Sequence, residues 1–245
     1  MSRSLAGFLS FLLVLVAVGL LGTWYLGPNL VGLAFDEDRR NAPYYLLNFA
    51  AGEPGTEYQS TYRAGLAELV VSDGGQLLWQ ANTVQVSEGR VQDEWQDVQL
   101  FEFPRGGDFV EMLTSSAYRG IVDAHPAVSR MVLGTSTAPD ALAGGQATVL
   151  SLLTVDPEQS DTDAAIRRLL GNLSAYEGSL IWDTEVADLE EEWPWNRVLL
   201  LAFPSLSQAE NWLRDPATVT ERALTATAAK QRVTLVLSSG TGGQF

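Results

Sequence analysis

The sequence contains no cysteine, a single histidine, His125, and a single lysine, Lys230. Without thiols there is no disulfide scaffold, no iron–sulfur cluster and no thiol nucleophile, and one imidazole does not build a structural zinc site. Any triad-type chemistry has to use His125. Basic charge is scarce as well: 15 Lys+Arg stand against 30 Asp+Glu, a formal net charge of −15. That balance repels phosphodiester backbones, so nucleic acid is excluded as a partner class. Phosphate cradles are missing too, since Gly106-Gly107 and Gly144-Gly145 stand in neither a GxGxxG nor a GKS/T context.

What is present begins with an uncharged run of 22 residues, Leu5 to Leu26. A helix of that length, at about 1.5 Å per residue, spans a hydrocarbon core of roughly 30 Å. The run predicts a transmembrane anchor over 5–26 behind a short tail (1–4), with Trp24 and Tyr25 at the interface and Gly27-Pro28 ending it. A cleavable signal peptide, cut at Phe35 after Gly32 and Ala34, is the competing reading. Both export the remainder. The expectation is a single-pass inner-membrane protein whose C-terminal domains lie on the periplasmic or extracytoplasmic side.

Signals recur along the rest of the chain at an offset near 100. Gly75-Gln-Leu-Leu-Trp79 returns as Gly178-Ser-Leu-Ile-Trp182, Trp95 with Phe103-Pro104 returns as Trp195 with Phe203-Pro204, and Arg130 returns as Arg232. In the first copy a strand at 44–50, a helix closed by Gly74-Gly75, strands at 76–87 and 95–103, a helix from Phe109 and a last strand from Met131 follow one another. The second copy repeats the order. This predicts an α+β chain with two tandem ferredoxin-like β-α-β-β-α-β domains, 44–136 and 147–239, after a linker at 27–43, joined by a turn-rich linker at 137–146 and followed by a tail at 240–245.

Gly74-Gly75 through Glu88-Gly89, Phe101-Glu102-Phe103-Pro104, Ser115-Ser116-Ala117-Tyr118 and the closing strand from Met131 to Ser136 resemble the dimeric α/β-barrel superfamily. The nearest branch is the small domains of unknown function beside the YciI-like and antibiotic-biosynthesis-monooxygenase-like proteins. The resemblance implies that two four-stranded sheets close into a barrel, here as a pseudo-dimer within one chain. It also implies that any substrate sits in a cleft between sheet and helices.

At cleft-capable positions the copies differ: Asn48, Glu102, His125, Tyr45 and Trp79 correspond to Ser151, Ala202, Thr227, Thr148 and Trp182. The candidate catalytic set is therefore His125, Glu102 and Asn48, with Tyr45 and Trp79 as ligand-binding residues in the first copy. His125 precedes Pro126, so it also reads as a helix end, where an imidazole satisfies a terminal carbonyl. Haem-degrading relatives carry a histidine about one turn earlier, which speaks against a haem ligand here; no cofactor is expected, with haem as the alternative for a monooxygenase-like enzyme. Strand alternation puts Glu102 with Val98 and Leu100, opposite Gln99, and puts Tyr45 and Asn48 on opposite faces. The tryptophans recur at repeat positions, which favours core packing over an aromatic pocket. The acidic string from Asp183 to Glu192 lacks EF-hand spacing and reads as a solvated hairpin.

Two functions follow: a membrane-anchored, non-catalytic binding or assembly module for a protein partner or small apolar ligand, or a monooxygenase-like oxidoreductase acting on an aromatic or quinone-type molecule at one site in the first copy.

Overall fold

Tyr44–Ala51, apolar but for two tyrosine hydroxyls and one amide, forms a strand (β1) buried on both faces along most of its length. In the computed structural model, residues 33–34, 36–52, 59–88, 95–140, 147–156, 161–189, 193–229 and 231–239 are described. A short helix, α1 (Glu37–Asn41), precedes β1 and is capped by the Asp36 carboxylate. After β1 come a π-helical turn (Gln59–Arg63) running into α2 (Ala64–Ser72), β2 (Gln76–Glu88), β3 (Asp97–Phe103), α3 (Gly106–Thr114), α4 (Ser116–Ala124) and β4 (Ser129–Thr135). The second half supplies β5 (Ala147–Thr154), α5 (Asp161–Leu169) continued by a 3₁₀ turn (Leu170–Tyr176), β6 (Ser179–Glu185), β7 (Ala187–Asp188), β8 (Arg197–Phe203), α6 (Leu206–Arg214), α7 (Pro216–Ala228) and β9 (Gln231–Ser239).

The strands form one nine-stranded sheet in the order β6-β8-β5-β9-β2-β3-β1-β4-β7. This corrects the expected fold class in two respects. First, two tandem four-stranded domains give way to a single hydrogen-bonded sheet. The cause is the length of β2: residues 76–82 pair with β3, and the strand runs on so that residues 81–88 pair with β9 of the other half. An overhanging strand would otherwise leave a row of backbone groups unpaired. Second, no transmembrane helix is seen: among the described residues no helix is long and apolar enough to cross a membrane. The longest regular helix among the described residues, α7, has 13 residues, about 20 Å at 1.5 Å per residue. The run 5–26 lies outside the described residues.

The two ends of the strand order are consecutive in the chain. β6 pairs with β8, β7 pairs with β4, and only Val186 separates them, so the sheet closes on itself. Trp182 Nε1 donates to the Thr137 carbonyl across this seam, and the Asp140 amide donates to Ile181. Inside the ring, Leu47, Phe49, Leu100 and Met131 meet Leu150, Leu152, Leu200 and Leu235 in one core drawn from both halves. Helices cover the outer faces through separate cores, one in the first half and two in the second.

The halves share their register. Tyr44 faces Phe103 as Ala147 faces Phe203, and a bulge lies between Leu77 and Trp79 as between Leu180 and Trp182. Two glycines are required by the same contact. A Cβ on Gly75 would come within 2.7 Å of Val70 Cγ1 and 3.0 Å of Phe103 Cε1, and on Gly178 within 2.6 Å of Leu173 Cδ1 and 2.7 Å of Phe203 Cε1. In both halves the chain leaving the first helix must press its backbone onto a phenylalanine.

In the second half Asp215 caps α7, accepting from the amides of Ala217 and Thr218, from Asn172 Nδ2 and, at 2.7 Å, from the Tyr176 hydroxyl. The Tyr176 bond first, then the helix amides and Asn172, hold its carboxyl below the usual carboxylate range. A depressed native pKa contributes stability that is complete above the unfolded value of about 4 and is lost as pH falls through the lower native value. Urea midpoints measured from pH 6 down to pH 2.5 are expected to fall below pH 4. Asp215→Asn should flatten that decline by up to about one proton's worth of slope, and an unchanged slope would show that the Asp215 cap is not what acid disrupts.

Candidate small-molecule site

Leu46, Ala50, Phe101 and Phe103 face the helices of the first half. By alternation Asn48, Gln99 and Asp97 share that face. The register sets them in two rows across the strands, Val132–Asn48–Gln99–Gln80 and Arg130–Ala50–Asp97–Asn82. In the first row Asn48 Nδ2 donates to Gln99 Oε1 and Gln99 Nε2 donates to Gln80 Oε1, both at 3.4 Å. Asn48 and Gln99 are 2% and 1% exposed. Amides that deep in a core are costly unless they have partners, and these bonds are long, so the row keeps hydrogen-bonding capacity that a better acceptor or donor would use.

In the second row Arg63, at the end of the π turn, bonds Asp97 Oδ1 at 3.0 Å and Asn82 Oδ1 at 3.4 Å. Tyr62, beside it on the turn, sets its ring edge-on to His125 at 5.7 Å. His125 caps the C-terminus of α4: its Nδ1 lies 2.8 Å from the Ile121 carbonyl and its Nε2 2.7 Å from Thr61 Oγ1. A carbonyl only accepts, so Nδ1 carries a hydrogen, while Nε2 and the Thr61 hydroxyl share a hydrogen bond. The helix-end role anticipated for this residue is what the geometry shows, and Nε2 sits near solvent.

The other candidates fall elsewhere. Glu102 lies beside Tyr45, whose hydroxyl donates to Glu102 Oε1 at 3.1 Å, while Gln76 Nε2 donates to Oε2. Tyr45 belongs to the core inside the ring and Trp79 packs against it, with Trp182 edge-on to Tyr45 at 6.3 Å. Burial, then the Glu102 bond, pushes the Tyr45 hydroxyl above its ordinary pKa. Asn48 therefore belongs to the helix-facing side, and Glu102 with Tyr45 to the interior of the ring. His125, Glu102 and Asn48 are not brought together.

Residue-type reasoning missed Asp97, Arg63 and Gln80, although a signal existed. At the position of Asp97 the second half carries Arg197, which bonds Asp183 through Nε at 2.7 Å and Nη2 at 2.9 Å, and Asp163 through Nη1. The strand–helix ion pair is kept with its charges exchanged. Around it, Asn48, Ala50, Gln99 and Gln80 are answered by Ser151, Leu153, Leu199 and Asp183. Ser151 is satisfied by Thr234 Oγ1 at 3.1 Å, and Leu153 and Leu199 fill an apolar cluster with Ile166 and Ala229. The amide row exists in the first half only.

No family model and no curated protein matches the sequence. Solved structures do match over most of the chain. An anthrone oxidase-like protein aligns with 81% of this chain and 91% of its own at 13% identity and a TM-score of 0.56. A candidate monooxygenase from Fusobacterium nucleatum subsp. nucleatum aligns with 83% and 96% at 12% identity and a TM-score of 0.50. The chain shares its fold with these two proteins. A mutant chlorite dismutase from Candidatus Nitrospira defluvii also aligns, over 80% of this chain and 91% of its own at 10% identity, with a TM-score of 0.48. At these identities the likeness concerns the fold.

Proposed function

We propose that the chain is a monooxygenase-like oxidoreductase acting on an aromatic or quinone-type small molecule, with a single site between sheet and helices in its first half. The observation that carries this reading is the buried amide row Asn48–Gln99–Gln80, bordered by Asp97 and Arg63 and replaced by apolar or self-satisfied residues in the second half. Anthrone oxidase-like and monooxygenase-type neighbours support it over an assembly role. The fitting reaction is oxidation of an activated ring methylene by dioxygen, in which CH₂ and O₂ give a carbonyl and water. Amide donors hold the ring oxygen and stabilise the negative charge that develops on it as the methylene loses its proton. His125, hydrogen-bonded through Nε2 to the Thr61 hydroxyl, is the residue assigned to accept that proton.

The test supplies the full chain with 1,8-dihydroxyanthrone, which carries both the activated methylene and ring hydroxyls, and follows oxygen consumption together with quinone absorbance. Turnover above the buffer rate, reduced by about 100-fold or more in His125→Ala, supports the reading. Saturable binding without oxygen consumption would leave a binding protein for the same ligand, a second reading that the engagement of both His125 nitrogens favours. No binding and no turnover would sink both.

A further inference from the structure

The carboxylate of Asp97 has one satisfied oxygen and one that is not. Its residue is 1% exposed, Oδ1 receives Arg63 Nη1 at 3.0 Å, and Oδ2 is buried and accepts no hydrogen bond from the described residues. A buried carboxylate oxygen without a donor is among the costlier unmet needs of a folded chain. The second half shows how the same place looks when nothing is left over: Arg197 is held by Asp183 and Asp163 together.

A second difference lies beside it. Across β1 from Asp97 stands Ala50, whereas Leu153 stands across β5 from Arg197. Leu153 is fully buried against Ile166, Leu199 and Ala229. The first half thus gives up the bulk of a leucine side chain next to the oxygen that lacks a donor, and it puts Gln99 where the second half has Leu199. Smaller volume and an open acceptor coincide, and both lie on the helix-facing side that carries the amide row.

From these two observations, and resting on the aromatic-ligand reading above, we infer that Asp97 is a specificity-determining residue and that the ligand is a hydroxyl-bearing, phenolic aromatic whose O–H donates to Asp97 Oδ2. A quinone or an aryl ether brings only acceptors. Either would set its oxygen against the carboxylate and leave Oδ2 unsatisfied, so the site selects the reduced, hydroxylated member of such a pair. Sites built to bond a hydroxyl discriminate strongly against analogues that lack it, because the buried partner is then stranded.

The experiment compares 1-naphthol with 1-methoxynaphthalene by quenching of tryptophan fluorescence in the full chain. Naphthol is expected to bind at least about tenfold more tightly to the natural protein. Asp97→Asn should bring the two affinities within about threefold of each other, and Ala50→Leu, which copies the second half without touching the carboxylate, should weaken both probes together by about tenfold or more. Equal affinities of the natural protein for the two probes would overturn the assignment of Asp97 while leaving the aromatic site standing. Failure of both probes to bind would overturn the aromatic-ligand reading and this inference with it. The comparison in the natural protein needs no substitution, so a variant that fails to fold does not shield the proposal.

Discussion

Trp212→Ala is expected to destabilise the protein by about 4 kcal/mol, the middle of the range for removing a buried tryptophan from a core that cannot collapse around the gap. The ring is 1% exposed, lies against Phe203 with centroids 5.6 Å apart, and shares a core with Leu169, Leu173 and Val236 between β5, β8 and the second-half helices. Its indole N–H also donates to Asn172 Oδ1 at 3.0 Å, and Asn172 in turn donates to Asp215 and Thr218. One side chain thus joins the α6 face to the cap of α7. Against a typical total of about 5–15 kcal/mol, a loss of this size leaves a small margin. Trp212→Phe should cost nearer 1–2 kcal/mol, since most of the ring volume stays and the bond to Asn172 is lost, though Thr218 still donates to the Asn172 oxygen. Guanidinium midpoints of the two variants against the natural chain decide it. A change below about 1.5 kcal/mol for alanine would mean that the second half re-forms its core around the missing ring, unlike the sites in measured series.

Much of this architecture was legible because it rests on local rules. Gly75 and Gly178 are forced by contact with Phe103 and Phe203, so they recur at a fixed offset with the tryptophans that follow the bulge. Alternation alone separated Tyr45 from Asn48 and Glu102 from Gln99, and the His-Pro pair marked a helix end that His125 does cap. The continuous sheet was harder to see. Nothing in the composition of 76–88 says which residues pair with β3 and which with β9, because both partners are largely buried strands. The site was read only in part for a different reason. Alternation within a strand does not give the register between β1 and β3, which sets Glu102 beside Tyr45 and Asn48 beside Gln99, on two sides of the sheet. Asp97 escaped because its counterpart is Arg197: a reversal of charge across a strand–helix pair looks like divergence in one dimension and like the same contact in three.

Replacing Asn48 and Gln99 together by leucine and methionine is expected to lower the activity proposed for the first half about 100-fold while leaving the fold near its natural stability. The two amides are bonded to each other at 3.4 Å inside the protein. Removing either one strands the other, so Asn48→Leu and Gln99→Met should each cost about 1–3 kcal/mol. With both gone, the main remaining deficit is the Gln80 amide, which is only partly buried and can bond to water. Exchanging both partners for apolar groups of similar shape is close to neutral. The double-mutant cycle should therefore show the pair less destabilised than the sum of the singles by about 1–2 kcal/mol. Function should follow the opposite rule. Each variant removes a donor that the ligand oxygen would use, at about 1.4 kcal/mol apiece, so turnover should fall about tenfold in the singles and about 100-fold in the double. Stability recovering while oxygen consumption stays lost would separate the two roles, because a row kept only for packing would regain both. Activity that returned with stability would mean that Asn48 and Gln99 serve the core and that the ligand is held elsewhere.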